Sequence, residues 1–122
     1  MNKKLENSSF LINSLATIQD AMGAITDNQR GAVVIVDEKG HLYGLISDGD
    51  IRRAMLGGAT LQTPVEKICN MRPLTITEGD AQAGKGKRIF DEEASITVIP
   101  VVGAGNTVAD VLVRDPEKRK EF

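Results

Sequence analysis

A chain of 122 residues and 13.1 kDa is one ordinary domain, or two half-sized repeats sharing a core. With 15 Lys and Arg against 17 Asp and Glu, its net charge of −2 is spread along the chain, which argues against nucleic acid as the main partner. One cysteine, Cys69, excludes an intrachain disulfide or a multi-cysteine metal cluster, and four aromatics (Phe10, Tyr43, Phe90, Phe122) leave no stacking platform for bases.

Residues 1–8 are polar and expected to be disordered; no apolar stretch follows the basic pair Lys3-Lys4, so no signal peptide is expected. Ser9–Ile12 suits a short strand. Thr17 is a good N-cap for a helix carrying Ile18, Ala21, Met22 and Ile25 on one face, with Asp20 near its positive end and Gly31 closing the segment. Ala32–Val36, continuous and β-branched, suits a strand buried on both faces. Asp37–Gly40 is turn chemistry, and Leu42–Ile46 completes a hairpin. Ser47-Asp48-Gly49-Asp50 caps a helix with Ile51, Ala54 and Met55 on one stripe, ended by Gly57-Gly58. Thr63–Ile68 reads as a short helix with Pro64 in its first turn. The order then repeats: Leu74–Ile76 a strand, Asp80 an N-cap, 81–93 a helix, Ile96–Val102 a strand, Gly103–Asn106 a turn, Val108–Val113 a strand. The five-residue apolar runs Ala32–Val36 and Val98–Val102 are the longest, far short of a membrane span, so a soluble cytoplasmic domain is expected.

Sliding the first hairpin by 66 residues sets seven apolar positions, Ala32, Val33, Ile35, Val36, Leu42, Leu45 and Ile46, on seven apolar positions, with the turns in register. Only Val36 and Val102 are identical, so the pattern carries the repeat. The expected class is α/β (α+β): two pseudo-symmetric strand-helix-strand-strand-helix copies at 9–58 and 73–122, packed sheet to sheet and joined by a linker at 59–72.

This layout, with Gly44–Arg53 closing the first copy, Asn70–Thr75 between the copies and Ile99-Pro100-Val101-Val102 in the second hairpin, resembles a tandem CBS domain pair, or Bateman module. Ser47-Asp48-Gly49-Asp50-Ile51-Arg52-Arg53 looks most like the modules attached to sugar-phosphate nucleotidyltransferases, and less like those of arabinose-5-phosphate isomerases. The resemblance implies a non-catalytic regulatory module that binds an adenine nucleotide (AMP, ADP or ATP) between its copies. It further implies no metal or cofactor of its own, a homodimer, and a catalytic nucleotidyltransferase domain as a candidate partner. The Ser/Thr-x-x-Asp at the strand-to-helix junction implies Ser47 and Asp50 as the ribose and phosphate clamp, with Arg53 offsetting the acidic charge. The other copy would receive the base at Thr75, Ile96, Thr97, Val98 and Pro100. At the 66-residue offset Ser47 meets Val113 and Asp50 meets Pro116, so the mirror site lacks its clamp and one ligand per chain is expected.

Plainer readings compete. Ser47 and Asp50 suit a helix cap with no ligand. Gly79–Lys85 matches the start of a P-loop, but Gly86 follows where a hydroxyl is needed and Asp80 would repel phosphate. His41 reads as an exposed turn residue and Cys69 as a small buried hydrophobe. Leftover apolar helix surface at Ile51, Ala54 and Met55, with small Ala83 and Gly86, offers a dimer face. The functional alternatives are a ligand-free dimerisation module and a P-loop hydrolase.

Overall fold

Five consecutive β-branched or small apolar residues can bury both faces of a strand, and Ala32–Val36 does so completely. In the computed structural model, which describes residues 8–115, this strand (β2) is the centre of a three-stranded sheet. β1 (Leu11–Asn13) pairs with it in parallel and β3 (Leu42–Ser47) antiparallel. Helix α1 (Ile18–Asn28) crosses between β1 and β2, and α2 (Asp48–Leu56) follows β3. After a 3₁₀ turn at Val65–Lys67 the order repeats as β4 (Ile76–Thr77), α3 (Glu78–Gln82), α4 (Lys85–Glu92), β5 (Val98–Val102) and β6 (Val108–Val113). The second sheet has the order β4-β5-β6.

The hairpins obey the 66-residue offset pair by pair. Ala32 faces Ser47 and Val98 faces Val113; Ile35 faces Gly44 and Val101 faces Asp110. Both ladders slip at the same place, between Ile35 and Val36 and between Val101 and Val102. Alternation then divides the core. Ala32, Val34 and Val36 meet Val98, Val108 and Val111 between the sheets. Val33, Ile35 and Ile46 turn instead to Ile18, Ala21 and Ile25 of α1 and Ile51 of α2. The hairpin tips also touch, with Val108 N–H donating to the Gly40 carbonyl at 2.9 Å.

One substitution makes the copies unequal. Val34 N–H donates to the Phe10 carbonyl at 2.9 Å, extending the parallel pairing; Pro100, in the matching register opposite Val111, has no N–H to give. So β4 has two residues where β1 has three, and Leu74 stays outside the sheet.

Several expected details shift. The first strand begins at Leu11 rather than Ser9, and Met22 is 41% exposed, its place on the inner face of α1 taken by Asn28. Asn28 Nδ2 donates to the carbonyls of Ser9 and Ala32 at 2.9 Å each, which satisfies the buried amide. The left-handed residue closing α1 is Gln29, at φ 57°, ahead of Gly31. The single helix expected over 81–93 is two, broken at Gly84, whose φ of 81° no right-handed helix contains. The cap of the first piece is Thr77, with Asp80 at its third position. Ile51 and Gly86, offered to a dimer face, are buried within the chain, a Cβ on Gly86 colliding with the Leu112 side chain. Residues 1–7 and 116–122, Pro116 and Phe122 among them, lie outside the described residues.

Candidate functional site

The N-terminus of α2 opens onto a cleft of about 470 Å³ walled by both copies. The first copy contributes Arg30, Gly31 and Ala32 at the start of β2, and Leu45 and Ser47 on β3. The linker adds Asn70, and the second copy adds Pro73, Leu74 and Ser95 to Val98.

At its mouth Ser47 and Asp50 form a reciprocal capping box. Asp50 N–H donates to Ser47 Oγ at 3.2 Å, and Ser47 N–H donates to Asp50 Oδ2 at 3.0 Å. Arg53 Nη2 donates to Asp50 Oδ1 at 2.8 Å. The cap reading of these residues is therefore realised, yet it leaves Ser47 its hydroxyl proton and Asp50 spare lone pairs.

Of the residues the sequence singled out, Ser47, Ile96, Thr97 and Val98 line the cleft together. Asp50, in the first turn of α2, and Arg53, in its last, do not line the cleft. Thr75 is half-buried just past Leu74, also outside it. Pro100 is fully buried in β5, between residues whose alternation points it toward the first sheet. Thr97 Oγ donates to the Arg30 carbonyl at 2.6 Å, tying the copies at the cleft wall.

Sequence reasoning missed Arg30, Asn70 and Leu74. Arg30 was within reach, because the 66-residue offset places it on Ile96. Asn70 enters through the linker's path: its N–H and carbonyl each pair with Leu45 at 2.9 Å. Gly44 lets the linker pass, since a Cβ there would stand 2.7 Å from the Asn70 carbonyl oxygen. Burial pushes the neighbouring Cys69 thiol up, keeping it protonated near neutrality.

The mirror position is built differently. Arg114 N–H donates to the Thr97 carbonyl at 2.8 Å, as Asp48 N–H does to Gly31 at 2.9 Å. Where Asp48 offers a carboxylate, the Arg114 guanidinium donates to the carbonyls of Ile96, Phe90 and Glu93 at 2.9, 2.6 and 2.7 Å and lies over the Phe90 ring. Val113 offers no hydroxyl there.

The P-loop candidate and His41, which is half-buried, lie outside this cleft. Gly79–Gln82 lies within helix α3, so its amides form no phosphate loop. His41 Nδ1 lies 3.1 Å from Asp37 Oδ2 in the first hairpin turn. Among the described residues no three potential ligands cluster to hold a metal, and no helix is long and apolar enough to cross a membrane.

Comparison with known proteins adds three results. The family model of the CBS domain matches residues 7–57. An uncharacterized protein of Chlamydia muridarum is 33% identical over 90 residues, 72% of this chain and 27% of its own length. The arabinose 5-phosphate isomerase GutQ of Escherichia coli is 32% identical over 87 residues, 71% of this chain and 26% of its own. The chain thus spans about a quarter of these relatives. Among solved structures, the CBS domain protein PAE2072 of Pyrobaculum aerophilum, complexed with AMP, superposes with a TM-score of 0.68 at 22% identity, covering 89% of this chain and 82% of its own. The CBS domain pair of protein MJ0100, in complex with 5′-methylthioadenosine and S-adenosyl-L-methionine, gives 0.67 at 22%, covering 87% and 85%. Residues 7–57 thus match the CBS domain, and the chain has the fold of a CBS domain pair.

Proposed function

We propose that this chain regulates a larger protein by binding an adenine nucleotide in the cleft at Ser47, with copies at 9–58 and 73–122 closing on it. The observation that carries this reading is the cleft itself: both copies wall it, and a capped helix N-terminus, a natural anion site, opens onto it. Ser47 holds the phosphate or ribose and Asp50 accepts from the ribose hydroxyls, which requires Arg53 to share that carboxylate. Ile96, Thr97 and Val98 flank the base, and Thr75 and Pro100 support that wall. The AMP of the Pyrobaculum aerophilum neighbour and the 5′-methylthioadenosine and S-adenosyl-L-methionine of the MJ0100 pair support the ligand class.

The motif after β3 favours a sugar-phosphate nucleotidyltransferase as the controlled enzyme. The likeness to GutQ favours a second reading, the regulatory pair of an arabinose-5-phosphate isomerase. A homodimer is the expected assembly, through Met22, Met55 and Leu56, which α1 and α2 leave exposed.

Thermal melting tests the ligand. With a Kd of about 10 μM, about 1 mM AMP, ADP or ATP stabilises the fold by about 2.7 kcal/mol, a shift of several degrees. Asp50→Ala should abolish the shift and remain folded. No shift with any of the three nucleotides would leave the ligand-free dimerisation module as the better reading.

A further inference from the structure

Among the described residues that wall the cleft, only Arg30 carries a charge. Its Nε donates to the Arg114 carbonyl at 2.8 Å and its Nη1 to the Gln29 carbonyl at 3.2 Å. These bonds fix the guanidinium and leave Nη2 without a partner among the described residues. The next residue, Gly31, accepts the Asp48 N–H at 2.9 Å, so Arg30 borders the N-terminus of α2.

That terminus also carries Asp48 and Asp50: Asp50 is paired with Arg53 at 2.8 Å, and Asp48 Oδ2 lies beside Gly31, 3.4 Å from where a Cβ would stand. One free guanidinium edge and a helix end worth about half a positive charge match a single phosphate, which carries roughly −1.5 to −2 near neutrality. A triphosphate would bring two more phosphates to a wall with no second cation.

We propose that Arg30 reads the ligand's phosphate, and that the cleft takes a nucleoside monophosphate in preference to the triphosphate. This rests on the nucleotide reading above and adds its charge class and the residue that sets it.

Calorimetry on the whole chain at about 150 mM salt, with adenosine, AMP and ATP (with and without Mg²⁺), tests it. AMP should bind about tenfold more tightly than either adenosine or ATP. Arg30→Ala should bring AMP down to the affinity of adenosine while adenosine itself is held as before, and Arg30→Lys should restore part of the difference. Should Arg30→Ala not fold, Arg30→Lys and the AMP-to-ATP ratio of the unaltered chain still decide. ATP binding as tightly as AMP would overturn the charge class and leave the nucleotide reading intact. An AMP advantage over adenosine that survives Arg30→Ala would overturn the role of Arg30. Failure of all three ligands to bind would overturn this proposal and the nucleotide reading together.

Discussion

Ser47 and Asp50 satisfy each other across the first turn of α2, each backbone N–H donating to the other's side chain at 3.2 Å or less. Thr17 and Asp20 do the same at the start of α1, at 2.9 and 3.3 Å, away from the cleft. The second box is therefore a built-in control for the first. Thr17→Ala and Ser47→Ala should each cost about 1 kcal/mol in denaturant unfolding, the ordinary loss of a cap. Only Ser47→Ala should also weaken AMP binding. If both variants bind AMP like the unaltered chain, Ser47 is a cap and nothing more.

The mirror position predicts a stoichiometry. Arg114 spends its guanidinium on three carbonyls around the end of α4, so this end of the second copy is tied together where the first copy is open. Titration should find one nucleotide per chain. Arg114→Ala should destabilise the fold by about 2 kcal/mol, the scale for hydrogen bonds from a charged donor, without creating a second site because Val113 still lacks a hydroxyl. Two equivalent sites in the unaltered chain would contradict this.

The hairpins were readable because their signals are local: two unbroken apolar runs, two turns, and one spacing that holds for every pair, even at the ladder slips. Of the features that misled, the break at Gly84 is local, while the others depend on partners distant in sequence. Gly84 interrupts a helical pattern that looks continuous along the chain, and Gly86 is small because Leu112 lies against it. The short β4 follows from a missing donor at Pro100, more than twenty positions away. At the site, Ser47 and Asp50 stood out because a cap and an anion site use the same residue types. Arg30 did not, since its place at the site shows only through the 66-residue offset that sets it on Ile96, not through its neighbours in the chain.

The first hairpin turn carries a pH dependence. Asp37 accepts from the backbone N–H of His41 and of Lys39, each at 2.9 Å, and meets the His41 ring. These contacts, the His41 backbone bond foremost, hold its carboxyl below its ordinary value. A pKa lower in the folded than in the unfolded chain gives stability that is present above the unfolded value and lost as pH falls through the folded one. Asp37→Ala should therefore be less stable than the unaltered chain at pH 7, with the gap narrowing below about pH 4. Denaturant midpoints collected from neutral to acid pH report this directly. A gap that stays constant into the acid range would show that the carboxylate's charge contributes nothing.

Gly44 and Asp110 occupy the same register, opposite Ile35 and Val101, but only Gly44 has the linker across it. A Cβ at Gly44 would stand 2.7 Å from the Asn70 carbonyl oxygen and 2.9 Å from Cys69 Sγ. The backbone atom is the harder obstacle, because Asn70 is held to Leu45 by two hydrogen bonds of 2.9 Å. To admit a methyl group, the linker must lift from β3 or β3 must bend away from the first sheet. Either movement shifts Leu45 and Asn70, which both wall the cleft. Gly44→Ala should thus cost about 1–3 kcal/mol, the range for overpacking a buried contact, and weaken nucleotide binding as well. Asp110 is exposed, and Asp110→Ala should change stability by no more than about 0.5 kcal/mol and leave binding alone. Thermal melts of the two variants, with and without AMP, separate these outcomes. A Gly44→Ala chain that melts and binds like the original would mean that the linker yields freely, and that its pairing with β3 does not shape the cleft.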